Sequence, residues 1–200
     1  NELLGVFWQS MLKHGGEHCF TRLISSGSKT NPWFHESGSK MVRPGDLVAI
    51  DTDMIGPEGY ACDISRTFLC GDLATTNQKD AYREATEFVE KTMELCTPGI
   101  TYRELAAKLP KVKDEYLAQR YPVFLHGIGT DDEPPFWPFS DAKGSQHKNA
   151  EQLLPGMVLA IEFYAGKIGE QDGVKYEDQI YITEEGPVLM TLYPKEQKLI

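Results

Sequence analysis

The chain has 200 residues, 40% hydrophobic and 25% charged, with 18 Gly and 12 Pro, which is globular composition with room for one sizeable domain. With 30 acidic residues against 20 basic ones the net charge is −10, so the chain lacks the basic footprint that a phosphate backbone requires, and nucleic acid is excluded as a partner. No apolar run reaches the roughly 20 residues that cross a bilayer, so no membrane partner is expected.

Leu3, Leu4, Phe7 and Met11 recur at helical spacing and predict an amphipathic helix over residues 2–13, stopped by Gly15-Gly16. Residues 19–25 read as a short strand and 25–39 as a polar loop. Asp46 to Asp53 and Tyr60 to Leu69 predict two strands around a Gly56-Pro57-Glu58-Gly59 turn. A long helix is expected from about Asn77 to Cys96, buried along Ala81, Ala85, Phe88, Val89 and Met93 and ended by Pro98-Gly99. Thr101 with Glu104 makes a capping box for the next helix, which Pro110 interrupts. Residues 127–150 are rich in Gly, Pro, Asp and Ser and are expected as a long functional loop. Strands follow at about Met157 to Ala165 and Val174 to Thr183. Helices set between strand pairs imply an α/β or α+β domain.

The four cysteines (Cys19, Cys62, Cys70, Cys96) contain no CxxC pair and are too few for a disulfide scaffold. Reduced thiols and a cytoplasmic setting are therefore expected. The chain opens on Asn1, directly before a helix, and reads as the C-terminal part of a longer protein.

An internal echo organises the chain. Pro44-Gly45-Asp46-Leu47-Val48-Ala49-Ile50-Asp51 is matched by Pro155-Gly156-Met157-Val158-Leu159-Ala160-Ile161-Glu162. Each copy is a turn, an apolar strand and a carboxylate seven residues after its proline. Each precedes a second acid, Asp63 in the first copy and Glu177 in the second. Two related hairpins packed as halves of one sheet would produce this pattern; chance recurrence of a common turn is the competing reading.

Those acids sit in the wrong company. Alternation places Leu47, Ala49, Asp51 and Asp53 on one strand face, and the apolar neighbours argue that the strand is buried. A buried ionised carboxylate costs several kcal/mol unless paired or metal-bound. Glu162, between Ile161 and Phe163, meets the same objection. The basic residues near these strands, notably Arg66 and Lys175, can satisfy one or two acids and not all of them. A metal cluster satisfies them together. His126, opening His126-Gly127-Ile128-Gly129, is the remaining donor candidate. Oxygen-rich donors with one imidazole suit a pair of harder divalent ions: Mn, Fe, Co or Zn.

The order Asp…Asp…His…Glu…Glu, with Asp63-Ile64-Ser65-Arg66-Thr67-Phe68, Pro155-Gly156-Met157-Val158 and Glu177-Asp178, resembles the pita-bread superfamily of methionine aminopeptidases, Xaa-Pro aminopeptidases, prolidases and creatinase. The resemblance runs from about Glu2 to Thr183. It implies an α+β fold with duplicated α/β halves around a curved antiparallel sheet, and makes residues 1–200 one catalytic domain. An N-terminal domain and a first helix would lie outside the chain, and a homodimer is expected. His35, in Trp33-Phe34-His35, fits the superfamily's substrate-side histidine.

Two departures bear on the chemistry. The peptidases place a second histidine seven residues after the His-Gly-x-Gly histidine, where this chain has Glu133, and Thr130-Asp131-Asp132-Glu133-Pro134 contains none. The chain also carries Asp51-Thr52-Asp53, 12 and 10 residues ahead of Asp63, in place of one Asp 11 residues ahead. Both departures resemble the superfamily's dimethylsulfoniopropionate lyase branch, whose metal ligands match Asp51, Asp53, Asp63, His126, Glu162 and Glu177. The branch's Tyr-x4-His-Gly-x-Gly-x-x-Asp pattern matches Tyr121, His126 and Asp132. The resemblance implies two divalent ions, iron foremost, with Asp132 as base and Tyr121 in the substrate pocket. Trp33, Phe136 and Trp137 are further candidates to face a sulfonium, with loop packing the competing reading of Phe136 and Trp137. On the alternative Xaa-Pro peptidase reading Glu162 shuttles a proton and His35 steadies the substrate. The partner is accordingly a small carboxylate or a peptide.

Overall fold

The structure, a computed structural model, describes residues 1–141 and 151–200. It opens on α1 (Glu2–Lys13), short strands β1 (His18–Cys19) and β2 (Ile24–Ser26), then β3 (Leu47–Asp51), β4 (Met54–Ile55), β5 (Ala61–Cys62) and β6 (Ser65–Leu69). Helices α2 (Thr76–Leu95), α3 (Tyr102–Lys108) and α4 (Asp114–Leu117) follow. Strands β7 (Val123–Ile128), β8 (Asp132–Pro138), β9 (Val158–Gly166), β10 (Gly173–Ile182) and β11 (Pro187–Leu189) close the domain. No described helix is long and apolar enough to cross a membrane.

The long helix forms where its spacing predicts. Thr75 and Gln78 close a reciprocal capping box at its start, and Ala81, Ala85, Phe88 and Val89 are buried along one stripe. That stripe lies on β9 and β10, with the Phe88 and Phe163 rings stacked at 4.5 Å. The Thr101–Glu104 capping box likewise starts α3. The two strands expected over residues 19–25 and 60–69 are each broken, the second at Asp63-Ile64, which separates β5 from β6.

Two expectations are corrected. Residues 132–138 are not loop but β8, the edge strand of a five-stranded sheet ordered β11-β10-β9-β7-β8. An edge tolerates Pro134 and Pro135 because one side of the strand needs no ladder donors, and this composition hid the strand. The remainder of the expected loop, 142–150, lies outside the described residues. The two echoing hairpins also do not share one backbone ladder. β3 and β6 belong to a three-stranded sheet with β2, whereas β9 and β10 belong to the five-stranded sheet. The sheets meet where β6 packs on β10, bridged by Thr67 Oγ1, which donates to Lys175 O (2.9 Å) and accepts from Lys175 N (3.2 Å).

β7 and β8 pair with irregular register between His126 and Gly127. Such bulges re-aim a side chain. The glycine there is required: a Cβ on Gly127 would stand 2.6 Å from both the Glu133 and Pro134 carbonyl oxygens.

Candidate metal centre

The acids converge at the seam between the two sheets. Asp51 ends β3 and lies opposite Ser65 in the β6 ladder, while Glu162 and Glu177 are direct cross-strand partners in β9 and β10. Asp63 precedes β6, and His126 reaches in from β7. Asp51, Asp63, His126, Glu162 and Glu177 are all buried. With Asp53, Tyr121 and Asp132, all of these but Glu177 line one cavity of about 160 Å³, together with Lys175, Trp33 and Phe34.

Their donor atoms fall into three close groups: His126 with Glu162 and Glu177; Asp51 with Asp63 and Glu177; and Asp63 with His126 and Asp132. Asp53 lines the cavity without joining any of them. Its backbone turns to φ 30 beyond the strand end, and Thr21 Oγ1 donates to its Oδ2, so strict strand alternation from Asp51 to Asp53 does not hold. His35 is half-buried and is not among the residues lining the cavity.

His126 is set to offer Nε2. Its Nδ1 lies 3.1 Å from the Gly127 carbonyl, which can only accept, so Nδ1 carries the proton. Nε2 then faces Asp63 Oδ2 at 3.5 Å, Glu162 Oε1 at 3.5 Å and Glu177 Oε1 at 3.6 Å. These separations are too long for good hydrogen bonds. Donors bound to one ion at about 2.0–2.2 Å stand roughly 3–3.5 Å apart, close to this spacing.

Charge points the same way. Four buried carboxylates, Asp51, Asp63, Glu162 and Glu177, face one ammonium, Lys175, and one imidazole. Burial, with Glu177 adding repulsion, pushes Asp51 up to about 7 and Glu162 up to about 8 despite Lys175, and raises Asp63 well above the ordinary carboxylate range. Glu177 goes the other way: burial opposes its ionisation, but Lys175 and His126 hold it below its usual value. Burial also opposes the His126 imidazolium, yet Glu177 and Glu162 bring it up to about 9. Asp63 Oδ1 and Glu177 Oε1 have no hydrogen-bond partner although fully enclosed. Orphaned buried acceptors beside excess negative charge are what a divalent cation repairs, so these residues fit one.

Metallopeptidase family M24 matches residues 1–184. The chain belongs to that family. It is 36% identical over its whole length to dimethylsulfoniopropionate lyase DddP of Roseovarius nubinhibens, covering 45% of that protein. It is 31% identical over 93% of its length to a Xaa-Pro dipeptidase of Pyrococcus furiosus, covering 51% of it. Among solved structures, the Pyrococcus furiosus prolidase superposes with a TM-score of 0.81 at 26% identity, over 97% of this chain and 56% of that one. The chain thus has the α+β pita-bread fold of its relatives and spans about half the length of the curated relatives it matches.

The structure also adds residues. Ser65 stands 2.6 Å from Asp51 Oδ1 and 2.8 Å from Glu177 Oε2. Phe20, Thr21, Leu23 and Phe34 join the cavity wall from segments with no periodicity to expose them. Lys175 was readable, since it lies two residues from Glu177 and therefore on the same strand face. Arg66 is turned away: it pairs with Asp178 at 2.6 Å on the opposite face. Phe136 is half-buried against the His126 ring, and Trp137 is fully buried beside Tyr102, so neither lines the cavity.

Proposed function

We propose that this chain is the catalytic part of a metal-dependent lyase that cleaves dimethylsulfoniopropionate to dimethyl sulfide and acrylate by β-elimination. The observation that carries the reading is Asp132. It is a carboxylate on the cavity wall, in a segment, 130–134, that contains no histidine. Among the described residues His126 is the single histidine lining the cavity, which leaves hydrolysis without its second imidazole. The 36% identity to a dimethylsulfoniopropionate lyase supports the same reading.

Asp51, Asp53, Asp63, His126, Glu162 and Glu177 would hold two divalent ions, iron first, with Mn, Co and Zn also suited to an oxygen-rich set bearing one imidazole. Such ions, when bound, supply Lewis acidity to the substrate carboxylate and stabilise charge on the carbon next to it. Asp132 takes the proton from that carbon. The C–H electron pair becomes the new C=C bond, and the C–S bond breaks with its electrons on sulfur. Neutral dimethyl sulfide leaves, acrylate remains, and Asp132 returns its proton to water. Burial raises the Asp132 pKa, His126 lowers it in part, and Asp53 and Glu177 raise it further. A base strengthened this way is better matched to a weakly acidic C–H.

The sulfonium end has a wall. Phe34 and Tyr121 rings lie 5.4 Å apart and Trp33 lies 6.1 Å from Phe34, all at the cavity. Cation–π attraction there contributes about 0.5–2 kcal/mol. Phe34 holds φ 74 while more than half exposed, an outlying backbone for a bulky residue and a mark of a constrained site. The 160 Å³ cavity supports a substrate smaller than the occupants of the ~300–1,000 Å³ pockets that take drug-sized ligands. All four cysteines are free, which supports a cytoplasmic setting.

Hydrolysis of Xaa-Pro peptides, with Glu162 shuttling the proton, is the alternative favoured by the Pyrococcus dipeptidase likeness. The two readings separate in one assay. The full-length protein, loaded in turn with Fe, Mn, Co and Zn, is offered dimethylsulfoniopropionate and Xaa-Pro dipeptides while acrylate and free amino acid are followed. Acrylate without peptide cleavage is expected; free amino acid without acrylate overturns the lyase reading.

A further inference from the structure

The aromatic wall is held from outside the cavity. Trp33 and Phe34 sit on an irregular segment between β2 and β3, and Tyr164, on β9, is fully buried against Trp33 with ring centroids 5.9 Å apart. The Tyr164 hydroxyl oxygen stands 2.8 Å from Thr30 O and 2.9 Å from Asn31 Oδ1. The Asn31 amide nitrogen donates to the Lys167 and Glu170 carbonyls of the β9–β10 turn, at 2.9 Å and 2.8 Å, which leaves Oδ1 as an acceptor for the phenol. Gly173 N donates to Thr30 Oγ1 at 3.1 Å and completes the tie.

Two glycines make room for that phenol. Gly166 and Gly173 face each other in the β9–β10 ladder, and a Cβ on either would collide with Tyr164 Oη. One on Gly173 would also stand 2.7 Å from Thr30 O. Tyr164 itself is not among the residues lining the cavity.

The far end of the segment is tied as well. Ser37 N donates to Arg22 O at 2.8 Å, and Arg22 pairs with Glu36 at 2.6 Å. Phe34 lies between the two anchors at φ 74, a backbone that a bulky residue keeps only where its surroundings dictate it. Trp33 and Tyr121 already face the Lys175 ammonium, at 5.5 Å and 5.7 Å. Among the described residues no cation stacks on Phe34, so its ring keeps a face for a positively charged ligand.

We propose that Tyr164 is a positioning residue which, seated in the Gly166–Gly173 notch, fixes segment 30–34 and so holds the Phe34 ring against an onium head group, a sulfonium or a quaternary ammonium. Selectivity for a cation is then set from the end of the same hairpin that carries Glu162 and Glu177. The inference rests on the lyase reading for the class of ligand alone, an onium carboxylate.

The test is calorimetric titration of the full-length, metal-loaded protein with β-alanine betaine and with its neutral carbon isostere, 4,4-dimethylpentanoate. Wild type should prefer the betaine by roughly 2- to 30-fold, the range of a cation–π contact. Tyr164→Phe and Asn31→Ala should each cut that preference at least about twofold, by weakening the betaine and not the isostere. In a Phe34→Ala background, the preference that the cavity's acids leave should not respond to Tyr164→Phe. A merely structural role for the phenol would weaken both ligands and would persist without Phe34, and that result overturns the inference. Equal affinity of wild type for the two ligands overturns it even where Tyr164→Phe does not fold, and so does an unchanged preference in a folded variant. Acrylate formation is read separately: its absence beside a Tyr164-dependent betaine preference overturns the lyase reading and leaves this inference standing.

Discussion

Glu162 and Glu177 stand directly opposite each other in the β9–β10 ladder, two buried acids facing across a strand pair. Like charges so placed repel and destabilise a sheet. Lys175, on the same face as Glu177 and 2.8 Å from Glu162, offsets part of that repulsion. The first hairpin solves the equivalent problem differently, opposing Asp51 with the hydroxyl of Ser65. The sheets are thus built around charge that their own side chains do not fully neutralise.

Asp63 measures that deficit. One of its oxygens is buried without a partner, and its raised pKa means the ionised form costs stability at neutral pH, a cost relieved as pH falls. Asp63→Asn should lose at least one bound ion per chain by elemental analysis. Chelation should lower the wild-type melting temperature by about 5–10 °C, since metal at 100 times its Kd adds about 2.7 kcal/mol and a domain of this size shifts about 2–4 °C per kcal/mol. Asp63→Asn should melt above the stripped wild type once both are metal-free, and its melting temperature should fall less on chelation than that of the wild type. Full metal content in this variant would remove Asp63 from the ligand set.

Phe34 tests the aromatic wall. Its ring is more than half exposed and belongs to neither hydrophobic core cluster, so truncation should leave the melting temperature within about 2 °C. Losing about 0.5–2 kcal/mol of cation–π contact should raise KM for dimethylsulfoniopropionate roughly 2- to 30-fold with kcat little changed. An unchanged KM in Phe34→Ala removes that ring from the sulfonium subsite.

Much of this was legible in the chain. The apolar strands ending in acids, the repeated Pro-Gly turn and the capped helices all carry local signals, and each element formed close to its expected bounds. What was hidden is tertiary in origin. β8 is disguised by Pro134 and Pro135, which only an edge position permits. The division of the echoing hairpins between two sheets depends on how β6 meets β10, which no single strand encodes. Phe34 and Thr21 reach the cavity from irregular segments where side-chain direction has no period to reveal it. Asp53 departs from alternation because its backbone leaves the strand.

Gly127 tests whether the β7–β8 hairpin positions the chemistry. A methyl group there would meet two backbone carbonyls of β8 at 2.6 Å, and backbone cannot swing aside as a side chain can. Gly127→Ala should therefore displace His126 from Asp132, weakening metal retention and lowering kcat by about a hundredfold or more, since small misplacements at a reacting centre cost on that scale. Gly127 pairs with Leu159 of β9 but the clash is on its β8 side, at the sheet edge, and α2 packs on β9 and β10, so the far-ultraviolet circular dichroism spectrum should persist. Wild-type turnover in this variant would mean the hairpin tolerates the shift.

Asp132 carries the reaction in the proposed mechanism and is not in the proposed ligand set, and that separation makes it the sharpest test. Its Oδ1 lies 3.9 Å from His126 Nδ1, the ring edge opposite the three carboxylates. Asp132→Asn keeps size and hydrogen bonding but cannot accept the α-proton. General-base removal costs about 10²- to 10⁴-fold, so acrylate formation should fall by that factor while elemental analysis shows the wild-type ion content. The raised Asp132 pKa also predicts a wild-type activity limb on the acid side, set above the ordinary aspartate range, where the base becomes protonated and turnover falls. That limb should vanish from the residual activity of Asp132→Asn. Loss of metal alongside activity would make Asp132 a ligand instead of a base, a role its place in the Asp63–His126–Asp132 group allows. Retained activity with retained metal would move the base elsewhere on the cavity wall, to Asp131 or Glu162.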